Sequence, residues 1–191
     1  MTKTHVLFVQ GGGKGAHNVD AALAASLERA LGGKYEVHFP RMPEEADPNV
    51  KSWKHKIAAE LLRLPGKVLL VGHSVGGSIL LRYLAEEEVK KPVAALFLLA
   101  VPSWDEDHWN FDDLKLPRNI DEKLAFIPRI YLYHSRDDVV VPFAHLALHR
   151  ARLPQATVRA VDGRGHQFGN DLTDVANDIR SEGASLATMA A

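Results

Sequence analysis

Residues 67–77 read Lys67-Val68-Leu69-Leu70-Val71-Gly72-His73-Ser74-Val75-Gly76-Gly77. Lys67–Val71 is a short, nearly continuous apolar run, the signature of a strand buried on both faces. Ile79, Leu80, Tyr83 and Leu84 follow at the spacing of one buried helix face. Between strand and helix sits Gly72-His73-Ser74-Val75-Gly76, a G-x-S-x-G pattern. Composition alone yields that pattern in roughly one chain in twenty of this length, so its weight comes from its placement. A strand, a tight turn through serine and a helix make a nucleophile elbow. The turn strains the serine backbone and lifts its hydroxyl above the sheet. Small residues at Gly72 and Gly76 let the two backbones approach, and the helix N-terminus favours developing negative charge. The competing reading is a glycine-rich turn with an incidental helix-capping serine.

The same alternation extends to both ends. Strands are expected at His5–Val9, Tyr35–Phe39, Lys67–Val71, Val93–Leu99, Arg129–His134 and Thr157–Val161. Helix stripes lie between them: Val19, Leu23, Leu27 and Ala30; Val50, Trp53, Ile57 and Leu61; Phe143, Leu146, Ala147 and Arg150; Leu172, Val175, Ala176 and Ile179. Prolines 40, 48, 65, 92, 128 and 154 fall near the boundaries, where they are tolerated. This order predicts an α/β fold: a six-stranded, mainly parallel sheet of order 2-1-3-4-5-6 with helices on both faces. Residues 102–127 break the rhythm and read as a short excursion over the sheet. No repeat or linker divides the chain, so residues 1–191 are expected to form a single domain.

A serine hydroxyl needs a base, and the base needs a carboxylate to hold its tautomer. Gly163-Arg164-Gly165-His166 follows the last strand, at the sheet edge expected for Ser74, and His166 is the candidate base. Ser135-Arg136-Asp137-Asp138 follows the fifth strand at that same edge. Asp138 is the first choice for the acid and Asp137 the alternative, since adjacent aspartates also serve as caps and turn residues. An oxyanion formed at the site needs two donors: the N–H of Val75, just after the serine, and one from Gln10-Gly11-Gly12-Gly13, where Gly12 is favoured.

With these residues assembled, the chain resembles the small serine-hydrolase family of α/β-hydrolases, the group of retinoblastoma-binding protein 9 and its YdeN-like bacterial relatives. The resemblance rests on the short chain, Val71-Gly72-His73-Ser74, Ser135-Arg136-Asp137-Asp138 running into Val141-Pro142-Phe143, and Gly165-His166. It implies a minimal α/β-hydrolase core lacking the first two antiparallel strands. It also implies a triad in the order Ser74, Asp138, His166, little or no lid, and no cofactor. It supports Asp138 over Asp137. The sequence departs from the common His-Gly of the oxyanion loop, having Gln10-Gly11 instead. The triad chemistry leads to the expectation of hydrolysis of a carboxylic ester or related acyl bond, with a small-molecule acyl ester as substrate; the resemblance brings a mechanism rather than a substrate. A catalytically weak binding protein on the same fold, or an acyltransferase using the same triad, are the alternatives.

Composition narrows the field further. The 191 residues are 46% hydrophobic and 25% charged, with a formal net charge of -1, so no basic excess points to nucleic acid. There are no cysteines, which removes disulfides, thiolate metal sites and a thiol nucleophile. No leader-like segment or membrane-length apolar run is present, and a cytoplasmic protein is expected. Gly11-Gly12-Gly13-Lys14-Gly15 fits neither the dinucleotide fingerprint nor the P-loop spacing. His145 and His149, four apart on a helix, lack a third ligand and read as exposed helix histidines, so no metal is expected. Trp104, Trp109 and Phe111 on the excursion are candidate walls of an acyl pocket, against the alternative of ordinary loop packing.

Overall fold

The structure, a computed structural model, describes residues 3–104 and 111–188. Among these, six strands form one sheet: β1 (Thr4–Val9), β2 (Tyr35–His38), β3 (Val68–His73), β4 (Val93–Leu99), β5 (Ile130–Ser135) and β6 (Thr157–Val161). Their order is β2-β1-β3-β4-β5-β6 and every pairing is parallel. The four central strands carry the continuous apolar runs, and β3, β4 and β5 are buried at every position. The edge strands β2 and β6 are only partly buried, as their mixed composition requires.

Among the described residues six helices cover the two faces: α1 (Ala16–Leu31), α2 (Val50–Arg63), α3 (Ser74–Glu86), α4 (Ile120–Lys123), α5 (Ala144–Arg152) and α6 (Thr173–Thr188). On one face, Leu23 and Leu27 of α1 and Val175 and Ile179 of α6 pack against Phe8, Val71 and Phe97. On the other, Trp53 and Ile57 of α2, Ile79 and Leu80 of α3, and Leu146 of α5 pack against Leu7, Leu70 and Leu98. Burying each large apolar side chain is worth roughly 1.5–3 kcal/mol, enough to fix which face each helix presents. The α2 start is fixed by Asn49, whose side chain accepts the N–H of Ser52 at 3.0 Å.

Two helix stripes differ from the expectation. In α1 the inward face carries Asp20 rather than Val19, which is 52% exposed. In α5 the buried residues are His145, Leu146 and His149, whereas Ala147 and Arg150 are exposed. In both, buried polar groups occupy positions that hydrophobic periodicity assigns to apolar ones. The excursion has a 3₁₀ turn at Asp112–Leu114 and the short α4, with Ile120 and Leu124 closing over the core. Among the described residues, no helix is long and apolar enough to cross a membrane.

Candidate active site

Ser74 opens α3 directly after β3, with a left-handed φ of 51°. That region is uncommon for residues with a side chain and costs of order 1–3 kcal/mol, which the surrounding structure must offset. The glycines around it are steric requirements. A Cβ on Gly76 would stand 1.9 Å from the Gln10 carbonyl oxygen, and one on Gly72 would stand 2.6 Å from Gly77 Cα. The elbow is thus wedged between β1 and its own helix, and Ser74 is held in an open cleft of about 220 Å³.

His166 lines that same cleft. Its Nδ1 lies 2.8 Å from Asp138 Oδ2, which leaves Nε2 as the nitrogen able to exchange protons. No hydrogen bond joins Ser74 Oγ to His166 among the described residues. Catalytic hydrogen bonds commonly tighten only when substrate is bound.

Asp138 is buried and uses its two oxygens separately. Oδ1 accepts the N–H groups of Val140 and Val141 at 2.8 and 2.9 Å, fixing the turn into α5. Oδ2 faces His166 and also stands 3.2 Å from His134 Nε2. Burial alone would raise its pKa. Hydrogen bonds from His134, His166 and Val141 outweigh burial and hold the carboxyl well below the usual carboxylate range. Asp137 does different work. Its Oδ1 accepts the Ser135 hydroxyl and the N–H groups of Arg164 and Gly165, the latter two at 3.2 and 3.1 Å. It therefore pins the loop that carries His166.

In the loop after β1, the Gly11 N–H donates to Asp20 Oδ2 at 2.7 Å and the Gly13 N–H to the Glu45 carbonyl at 2.6 Å. Among the described residues no hydrogen bond is made by the Gly12 N–H, which lies between these two anchored glycines. Gly12 is packed so closely that a Cβ there would lie 3.2 Å from Val75 Cβ. Val75 N–H belongs to the first turn of α3, where backbone donors lack helix partners. Gln10 is fully buried: its amide donates to Glu45 Oε2 at 2.7 Å and its Oε1 accepts the Met42 N–H at 3.1 Å. The glutamine side chain thus braces this loop against the segment after β2.

The pattern reading missed a second buried pair. His73 Nδ1 lies 2.9 Å from Asp20 Oδ2, and its Nε2 lies 3.1 Å from the His166 carbonyl. Burial pushes the Asp20 carboxyl up, but His73 and the Gly11 N–H outweigh it and leave it lowered. The overlooked signal was spacing, since Asp20 shares a helix face with Leu23 and Leu27.

Of the expected pocket walls, Trp104 and Phe111 do not line the Ser74 cleft. Trp104 is buried, donates its indole N–H to Ser78 Oγ at 2.8 Å, and sits with Leu81 and His149 away from the Ser74 cleft. Phe111 is 59% exposed and meets Trp104 edge-on. Trp109 lies outside the described residues. The apolar walls beside Ser74 are instead Ala16, Val19 and Val140. His145 and His149 are both buried rather than exposed, and His145 Nδ1 accepts the Ser103 N–H at 2.8 Å.

A family model described as serine hydrolase matches residues 24–170. Among solved structures, the ydeN gene product of B. subtilis is similar with a TM-score of 0.77 at 17% identity, covering 96% of this chain and all (100%) of that one. A serine hydrolase involved in carbazole degradation, the CarC enzyme, gives 0.73 at 16% identity, over 96% of this chain and 92% of its own. Est1E from Butyrivibrio proteoclasticus gives 0.68 at 15% identity, over 100% of this chain and 90% of its own. At such identities these likenesses carry the α/β-hydrolase fold alone. No curated protein matches the sequence.

Proposed function

The chain belongs to the serine hydrolase family, and from that premise we propose that it cleaves carboxylic esters or closely related acyl bonds through an acyl-enzyme on Ser74. One observation carries the reading: a serine strained at φ 51° shares a cleft with an imidazole whose Nδ1 is tethered to a buried carboxylate.

In this reading the substrate carbonyl sits over Ser74. His166 Nε2 takes the hydroxyl proton as Oγ bonds to the carbonyl carbon. The N–H groups of Gly12 and Val75 receive the oxyanion, and losing one such donor typically costs about 10²–10³ in rate. The tetrahedral species collapses, the C–O bond to the leaving group breaks, and His166 returns the proton to the departing alcohol. Water then enters, gives a proton to His166 and attacks the acyl carbon. Collapse of that second adduct releases the acid and restores the Ser74 hydroxyl. Asp138 keeps Nδ1 protonated and directed throughout.

The cleft is small and open, and Val19 and Val140 furnish its apolar surface. Short and medium acyl chains suit it. A panel of esters of increasing acyl length, run on wild type and on Ser74→Ala, tests the proposal. Loss of turnover in the variant supports it; equal turnover removes Ser74 from the chemistry. Adding alcohols and analysing products separates hydrolysis from acyl transfer.

A further inference from the structure

We propose that His5, Glu36 and His38 bind a divalent transition-metal ion, zinc or a close relative, at the β1–β2 edge of the sheet. None of the three lines the Ser74 cleft. The parallel register sets His5 beside Glu36, and His38 follows Glu36 by two residues. Strand alternation therefore directs all three to one face of the sheet. It is the α2 face, because Leu7 and Val9, alternating with His5 on β1, pack with Trp53 and Ile57.

The geometry suits a shared ion. His5 Nδ1 lies 2.9 Å from His38 Nε2, and Glu36 Oε1 lies 3.8 Å from that same nitrogen. One ligand atom from each residue falls within 4.8 Å of the other two. Zinc bonds of 2.0–2.1 Å at tetrahedral angles place ligand atoms about 3.3 Å apart. The two distances straddle that value, so small rotations of the side chains complete one face of a tetrahedron. In the metal-free pair a single proton bridges two imidazole lone pairs. A metal ion replaces that proton and takes both lone pairs, with Glu36 supplying the charge.

The donor set selects the class of ion. Two imidazoles and a carboxylate favour zinc, copper(II) or nickel(II) over magnesium or calcium, which prefer oxygen ligands throughout. The side chains of His38 and Glu36 are 26% and 44% exposed, leaving a solvent path and room for water in the remaining position. Lys3 is the one competing cation among the described neighbours. It stands 4.0 Å from Glu36 Oε2, the oxygen turned away from His38 in this arrangement. The ion would clasp β2, a four-residue edge strand that pairs only with β1.

The test is equilibrium dialysis of the full-length, chelator-stripped protein against Zn²⁺ at neutral pH, with melting curves with and without the ion. The expected result is one zinc per chain and a higher Tm with zinc. Zinc affinity should fall at least tenfold in His5→Gln and His38→Gln, fall less in Glu36→Gln, and stay unchanged in His55→Ala, at an exposed helix position. Far-UV circular dichroism and the metal-free Tm establish that each variant is folded. Should a histidine variant fail to fold, Glu36→Gln decides the question, because it is nearly isosteric. Absence of stoichiometric binding, or wild-type affinity in folded His38→Gln or in Glu36→Gln, overturns the proposal.

Discussion

His73 Nε2 lies 3.1 Å from the backbone oxygen of His166, so the residue before Ser74 holds the loop that carries His166. On its other side, His73 Nδ1 lies 2.9 Å from Asp20 Oδ2, which also accepts the Gly11 N–H. The ring thus bridges a carboxylate on one helix and a carbonyl on the loop after β6. One buried pair thereby joins the Gly11–Gly13 loop, the turn at Ser74 and the loop of His166.

Disturbing that pair should misplace the machinery without removing any of it. Asp20→Asn and His73→Asn are expected to lower kcat roughly 10–100-fold, the scale on which ångström-level misplacement acts. KM should change little, since neither residue is proposed to bind substrate. Steady-state kinetics on an ester substrate check this. Wild-type kcat in both variants removes the positioning role.

The adjacent aspartates should separate in their effects. Asp138→Asn reverses the hydrogen-bond preference at His166 Nδ1 and leaves the imidazole in the wrong tautomer. The expected loss in kcat is about 10³–10⁴-fold. Asp137→Asn weakens the anchoring of Arg164 and Gly165 and should cost roughly tenfold or less, by loosening the loop. Equal losses in the two variants would contradict the assignment.

His149 predicts a pH dependence of stability. Burial pushes its imidazole down to about 4, outweighing the backbone carbonyls of Pro102 and Val101, which favour the proton. The unfolded chain takes up that proton near pH 6.5 while the folded chain resists it. Stability therefore falls as pH drops from about 6.5 towards 4, by ~2–3 kcal/mol from this group. Urea midpoints at pH 7 and pH 4.5 should converge in His149→Leu relative to wild type. The same loss in both proteins would rule His149 out as its source.

Cleft shape predicts selectivity. Val140 lines the site and is 54% exposed, so Val140→Phe should shift preference towards shorter acyl chains. Trp104→Ala should cost about 3–5 kcal/mol in stability through the cavity it leaves, with acyl-length preference retained. An ester series read together with Tm separates the two. A changed length profile in Trp104→Ala would return that residue to the pocket.

The sheet was legible because its central strands are continuous apolar runs, and Val93–Leu99 and Thr157–Val161 match to the residue. The elbow was legible because its glycines answer to backbone contacts that no side chain can fit. What stayed hidden were buried polar groups. Apolar periodicity placed Val19 inside and overlooked Asp20, whose burial is sustained by hydrogen bonds to groups more than 50 residues away in the case of His73. The same assumption put His145 and His149 at the surface. Trp104 was assigned by its neighbourhood in the chain, whereas its place is set by Ser78 on α3.

The most direct test of the catalytic account is rapid-quench mass spectrometry during turnover of an activated ester. The account predicts a transient mass increase equal to the acyl group, mapping to the peptide that contains Ser74 and absent from Ser74→Ala. Sustained ester cleavage with no adduct on that peptide, and with Ser74→Ala as active as wild type, would contradict it.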